Sequence, residues 1–341
     1  MNIKAVAEKA GVSVATVSRV LNHPETVSPK TKAHILSVME ELEYMPNWFA
    51  RNLHMNKTNF IALFVPDILD PCYMELAKGV EDVAHQKKYN IMLCNTESDE
   101  NKEKEYIETF ISRKVDGLIL VSTLLKEEDF NQIKKRGISF ILIEKREFLH
   151  DIDVVYTDYK SAAEEAMEHM IEMEHNPIAM ICGRKPHFEN QEKLSGYKSA
   201  LAKASLPCLE EYIEEEENTI EGGYLAAAKL LELKTPPKAI FATSDMMAFG
   251  AMERIKQEGF SIPKDIAVVG FDNLKVASVV EPQLTTVAKP MYRMGLMGAR
   301  LLFDLMDRDE GPPMEAQEIL IQSKLKVRRS CGHKDRLKEI L

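Results

Sequence analysis

From Phe60 onward, short apolar runs alternate with amphipathic stretches of helical period. The runs fall at 60–65 (FIALFV), 90–94 (NIMLC), 117–121 (GLILV) and 138–143 (ISFILI), and again at 178–182 (IAMIC), 239–243 (AIFAT) and 266–270 (IAVVG). The stretches between and after them predict helices near 74–88, 101–114, 128–136, 159–173, 190–203, 222–233 and 245–258. Apolar runs this continuous are strands buried on both faces, and their alternation with helices predicts parallel sheets. The series occurs twice, which predicts two α/β lobes with a cleft between them. Open parallel sheets take ligands beyond the carboxyl ends of their strands. Asp67, Asp245 and Asp272 each follow such an end, either as ligand contacts or as helix caps and turns.

The head of the chain is patterned differently. The string NIKAVAEKAGVSVATVSRVL (2–21) predicts two short helices joined by a tight turn. Val6 and Ala10 lie four apart on one face of the first, and Gly11 gives the backbone freedom to end it. Ser13 is the N-cap of the second, with Val17, Val20 and Leu21 facing inward. Ser28-Pro29 opens a third helix that runs to about Glu43. Two helices around a glycine turn make a helix-turn-helix pattern, and a helix that enters the major groove needs small side chains, hydroxyls and a long donor. Val14 and Ala15 are small, Thr16 and Ser18 carry hydroxyls, and Arg19 can fork onto guanine O6 and N7. An ordinary surface helical hairpin is the competing reading.

Charge separates the two parts. The chain carries −10 overall, yet residues 1–58 hold seven Lys and Arg against five Glu. A mildly basic head on an acidic body suits a protein that touches DNA with its head alone. The five cysteines show no CxxC pair and no regular spacing, so they are read as free thiols in a reducing, cytoplasmic compartment. Cys331 and His333 are assigned to a polar tail, 331–341, with no metal site expected there. No apolar run approaches the roughly 18 residues of a membrane span. By itself the body could be an enzyme, a transport receptor or a sensor. It has no P-loop, no GxGxxG and no evident Ser, His and Asp set, so no catalytic residues and no cofactor are assigned. A ligand-sensing regulator is the reading that uses both halves.

VSVATVSRVLN (12–22), then Tyr44-Met45-Pro46-Asn47, then Ala50-Arg51-x-Leu53, closely resembles the LacI/GalR family of bacterial transcription regulators. The resemblance runs to about Arg329. It implies a small all-α helix-turn-helix head (1–46), a hinge helix and linker (47–58), and a two-lobed, periplasmic-binding-protein-like sensor with parallel sheets (59–330). The lobes would be interleaved, with chain crossings near Asp158, Lys289 and Leu320. The family's base-reading positions fall on Val14, Ala15 and Arg19, and its phosphate contacts on Thr16, Ser18 and Asn22, with the cap residue Ser13 also at the DNA-binding surface. In the hinge, Asn47, Ala50, Leu53 and His54 would meet DNA, with Leu53 as the wedge that kinks the minor groove. Ligand positions map onto Cys72, Tyr73, Lys193, Asn218, Ser244, Asp245 and Asp272. Lys193 departs from the arginine usual in that motif, Lys193-Leu194-Ser195-Gly196-Tyr197, and offers a point charge in place of a bidentate fork.

YMELAKGVED (73–82), Lys88-Tyr89-Asn90-Ile91 and Lys289-Pro290-Met291-Tyr292 resemble the catabolite control protein A branch of the family. That branch takes seryl-phosphorylated HPr as corepressor, and its partner-facing positions fall on Tyr292, Arg300 and Asp304. The expected pairing of Arg300 with Asp304, and the aspartate's charge, argue against strong phospho-HPr binding. The expectation is therefore a homodimeric, operator-binding repressor of carbohydrate-related genes, responsive to a sugar or phosphosugar. The alternative of a different class is a two-lobed sugar-binding receptor or an enzyme on the same fold.

Overall fold

The computed structural model describes residues 2–44, 57–145, 151–184, 188–308 and 315–332. The chain divides into two compact units, 1–59 and 60–341. The hinge residues Asn47, Trp48, Ala50, Leu53 and His54 lie outside the described residues.

The first unit contains helices α1 (Ile3–Ala10), α2 (Val14–Asn22) and α3 (Pro29–Glu41). Local chemistry sets every boundary. Gly11 takes φ +65°, the left-handed conformation that ends α1. Ser13 Oγ accepts from Thr16 N at 3.1 Å, and Ser28 Oγ from Thr31 N at 3.2 Å. Val6, Val17 and Ile35 are fully buried, one from each helix, and Val20, Val38 and Met39 close the core around them. Leu21 is only partly buried against that core.

The second unit holds two six-stranded sheets. The strands of the first are β1 (Phe60–Val65), β2 (Asn90–Asn95), β3 (Gly117–Val121), β4 (Ser139–Ile143), β5 (Val154–Tyr156) and β11 (Glu318–Leu320). Their order is β11-β5-β4-β3-β1-β2, parallel throughout. The second sheet contains β6 (Ile178–Gly183), β7 (Ile213–Glu216), β8 (Ala239–Ala242), β9 (Ala267–Asp272), β10 (Thr285–Ala288) and β12 (Lys324–Lys326). Its order is β12-β10-β9-β8-β6-β7, parallel except for β12. Helices α4 (Pro71–Gln86), α5 (Glu100–Ser112), α6 (Glu127–Lys135) and α11 (Met291–Met306) belong to the first lobe. Helices α7 (Tyr159–Glu172), α8 (Phe188–Lys203), α9 (Ile220–Leu231) and α10 (Asp245–Gln257) belong to the second. The chain changes lobe three times: between β5 and α7, between β10 and α11, and between β11 and β12.

Five strands carry no long apolar run. β5 and β11 have three residues each, and β10 is Thr-Thr-Val-Ala. β7 (IEEE) and β12 (KLK) are edge strands; Lys324, Lys326 and Glu215 are exposed, while Glu214 and Glu216 pair with Lys229. Cys331 does not belong to a polar tail. It is fully buried, with Thr285 Oγ1 donating to its sulfur at 3.1 Å and His169 Nε2 3.3 Å away. The hydrogen bond from Val268 N to Ser330 O draws the segment back against β9, which carries Cys331 inside.

Where α4 and α11 cross, Gly79 and Gly295 let the backbones touch. A Cβ on Gly79 would stand 2.2 Å from Tyr292 O, and one on Gly295 2.1 Å from Leu76 O. Both lie well inside contact distance, so only glycine fits this crossing.

Candidate functional site

Two surfaces carry the expected chemistry. On α2, Val14, Ala15 and Arg19 are exposed, while Val17 and Val20 face the core. Arg19 is therefore free to reach outward, and the small residues beside it permit close approach. Ser13 and Thr16 share a hydrogen bond between hydroxyls at 2.8 Å, and Ser18 is half-buried. Asn22 closes the helix; its side chain lies outside the described ones.

The second surface is a cleft of about 850 Å³ between the lobes, at the carboxyl ends of the strands. Four helices, α4, α8, α9 and α10, begin at it, and three of them carry side-chain caps. Asp70 caps α4 by accepting from Cys72 N at 2.9 Å. Thr219 caps α9 by accepting from Gly222 N at 3.0 Å. Ser244 caps α10 by accepting from Met247 N at 3.2 Å, and donates to Asn218 Oδ1. Of the expected ligand positions, Cys72, Tyr73, Lys193, Asn218, Ser244 and Asp272 line this cleft. Burial pushes both the Cys72 thiol and the Tyr73 phenol well above their ordinary values, so both are neutral.

Asp245 does not line it. It is fully buried, accepting from Leu274 N at 2.7 Å through one oxygen and from Thr286 Oγ1 at 2.5 Å through the other. Burial pushes its carboxyl up to about 7. Its role is positional: it holds the turn after β9, where Asp272 and Asn273 take φ +118° and +58°. Arg328 holds the same turn, with Nη2 donating to Asn273 Oδ1 at 2.6 Å. These bonds hold the two residues that follow Asp272, and backbone strain of this kind gathers at ligand sites. Burial raises the Asp272 carboxyl well above the usual range; Lys193 pulls it down, while Asp245 and Asp70 push it up.

Lys193 is buried and already engaged. Its Nζ donates to Thr243 O at 3.0 Å, stands 3.7 Å from Glu189, and lies 4.4 Å from the Phe271 ring centroid. The cleft floor also contains a group with no single-segment signature. Lys289 Nζ reaches Glu144 at 2.8 Å and Glu189 at 3.4 Å, and sits 4.9 Å over the Tyr159 ring. Tyr159 in turn donates to Glu144. Glu144 follows β4 in the first lobe and Glu189 lies on α8 in the second, so Lys289 ties the lobes together. Burial by itself lowers the Lys289 ammonium; Glu144, Tyr159 and Glu189 together hold it well above the ordinary lysine value. Sequence reading missed Glu144, Glu189 and Asp70. Only Asp70, as Asp before Pro at a helix start, carried a local signal.

On the outer face of α11, Tyr292 donates to Asp82 at 2.8 Å, and Lys78 pairs with the same aspartate. Arg300 and Asp304 are exposed, and the expected ion pair between them is not formed. Asp304 therefore does not occupy the Arg300 fork.

The comparisons with known proteins agree with this geometry. Residues 2–47 match the model for bacterial regulatory proteins of the lacI family, and residues 58–327 match periplasmic binding proteins and the sugar binding domain of the LacI family. Catabolite control protein A of Priestia megaterium is 37% identical over 310 residues, covering 91% of this chain and 93% of that protein. A transcriptional regulator CelR–cellobiose complex is similar with a TM-score of 0.73 and 28% identity, over 97% of this chain and 99% of that one. A LacI family regulator from Enterococcus faecium with bound ribose gives 0.72 and 29%, over 80% and 98%. These relatives are regulators, and they lend no support to an enzyme or a receptor. The helix-turn-helix head and the two-lobed body are thus two parts of one design, and the chain belongs to the LacI family as a DNA-binding transcription regulator.

Proposed function

We propose that this regulator is a cytoplasmic homodimer that represses carbohydrate-related genes and changes its operator affinity when a sugar-class effector enters the cleft. The observation that carries the reading is the exposed row Val14, Ala15 and Arg19 on α2, matched by a cleft lined from both lobes. Two α2 helices in a dimer read the half-sites of a pseudo-palindrome, with Arg19 donating to a guanine. Leu53 in the hinge segment supplies the apolar wedge that opens the minor groove. Closure of the lobes on a ligand shifts the spacing of the two heads and so the order of the hinges. Phospho-HPr is not the principal corepressor: Tyr292 is engaged by Asp82, and Asp304 adds a carboxylate to the face where a phosphate would dock.

Selection of bound DNA from a random pool tests the reading. The expected product is a two-fold symmetric consensus, with Arg19→Ala losing about 1–3 kcal/mol of discrimination at one base per half-site. An unselective pool, or the same consensus at the same stringency from Arg19→Ala, would refute it.

A further inference from the structure

The charge of the cleft selects among effectors. Its lining carries seven carboxylates against three cations, Arg184, Lys193 and Lys289. Each cation is already paired within the chain. Arg184 meets Glu216 at 3.0 Å and Glu217 at 3.1 Å, Lys193 donates to Thr243 O, and Lys289 pairs with Glu144. Four of the carboxylates, Asp67, Asp70, Glu221 and Asp272, are not so paired among the described residues, and the two that face each other from different lobes are Asp70 and Asp272. Among the described residues neither Asp70, in the first lobe, nor Asp272, in the second, makes an ion pair. A phosphate needs arginine forks, free ammoniums or open helix N-termini. Three of the helix N-termini at the cleft are capped from within, by Asp70, Thr219 and Ser244, and the fourth, that of α8, carries the Glu189 carboxylate in its own first turn. Each N-terminus is worth about half a positive charge, so the four together offer roughly +2. That does not offset the surplus of carboxylates.

We propose that the effector is a cationic, amine-bearing sugar, its ammonium held between Asp70 and Asp272 and its hydroxyls by Asn218 and Asn190. The proposal rests on the cleft being the effector site. An ammonium there donates to carboxylates of both lobes and so favours the closed form, whereas a sugar phosphate meets the surplus negative charge. Burial raises both carboxyls, with Glu189 adding to it at Asp70 and Asp245 and Asp70 adding to it at Asp272. A bound cation relieves this, and binding energy arises in the arrangement that draws the lobes together. The cleft volume of about 850 Å³ accommodates a mono- or disaccharide.

The test uses full-length protein and two charge-matched trios, by calorimetric titration. One trio is glucosamine, glucose and glucose 6-phosphate; the other is the glucosamine disaccharide, cellobiose and cellobiose 6-phosphate. The aminated member of at least one trio is expected to bind at least tenfold more tightly than its neutral counterpart. That preference should fall below threefold in Asp272→Asn or in Asp70→Asn, two variants that guard against misfolding of either one. A neutral or phosphorylated member binding as tightly as the aminated one, or no binding by either aminated member, would overturn the proposal. Asn218→Trp separates the two readings, since it fills the cleft mouth. Neutral or phosphorylated sugar binding that is lost in this variant refutes the charge assignment and leaves the cleft as the effector site. Sugar binding that survives it refutes the cleft itself and the proposal with it.

Discussion

Replacing Lys289 by Met should lower stability more than any surface change in this chain, and the structure sets the size of the effect. The ammonium is 6% exposed and sits between two carboxylates, Glu144 at 2.8 Å and Glu189 at 3.4 Å. Methionine retains the apolar stem over the Tyr159 ring but removes the charge. Breaking a buried ion pair from one side costs about 3–5 kcal/mol, because the remaining charge is left uncompensated. Here the low end applies. Glu144 keeps the Tyr159 hydroxyl, and Glu189 keeps Lys193 at 3.7 Å. With roughly 2–4 °C per kcal/mol for domains approaching this size, the melting temperature should fall by about 6–12 °C. The sign of the pH dependence also follows. The folded ammonium titrates well above the ordinary lysine value of 10.5, so its contribution is present through neutral pH and is lost only as pH rises through the raised value. The deficit of Lys289→Met should therefore be constant across neutral pH. Thermal melts of wild type, Lys289→Met and the double change Lys289→Met/Glu144→Gln measure it, with the double variant recovering about half of the loss by removing the stranded charge. A fall below 2 °C in the single variant, or no recovery in the double, would refute the reasoning.

Leu53→Ala should weaken operator binding strongly and random-DNA binding little, because a wedge acts only where the duplex kinks, whereas non-specific binding rests on phosphates; equal losses on both would remove the wedge. Asp245→Asn should gain stability relative to wild type as pH rises from about 4 to about 7, because a carboxyl held at about 7 against 3.8 unfolded loses its stabilisation over that interval. Parallel urea midpoints for the two proteins across that range would contradict it. Gly79→Ala should cost about 1–3 kcal/mol, the range for overpacking, since a Cβ 2.2 Å from Tyr292 O forces α4 and α11 apart. An unchanged denaturation midpoint would show that the crossing yields at no cost.

The sequence alone determined what is local. Gly11, Ser13 and Ser28 set the ends of the head helices through bonds to residues three or four away, so those boundaries are legible without a fold. Six of the seven apolar runs declare their strands because each is buried on both faces, whereas the seventh, β2, lies at a sheet edge with Leu93 exposed. Apart from β2, strands at or near a sheet edge do not declare themselves. β7 and β12 are charged because one side faces water, and only their neighbours make them strands. The tertiary structure also decided which of two acidic residues near the cleft lines it. Asp245 and Asp272 both follow strand ends, but Asp245 turns inward because Leu274 N and Thr286 Oγ1 wait there, and Asp272 lines the cleft. Cys331 lies beside charged and polar residues in sequence and is nevertheless core, since the return of its segment to β9 seals it under Thr285 and His169. Glu144, Tyr159, Glu189 and Lys289 come from four separate segments. Their pairing exists only once both lobes have folded and the chain has crossed between them, so no spacing in the sequence could have announced it.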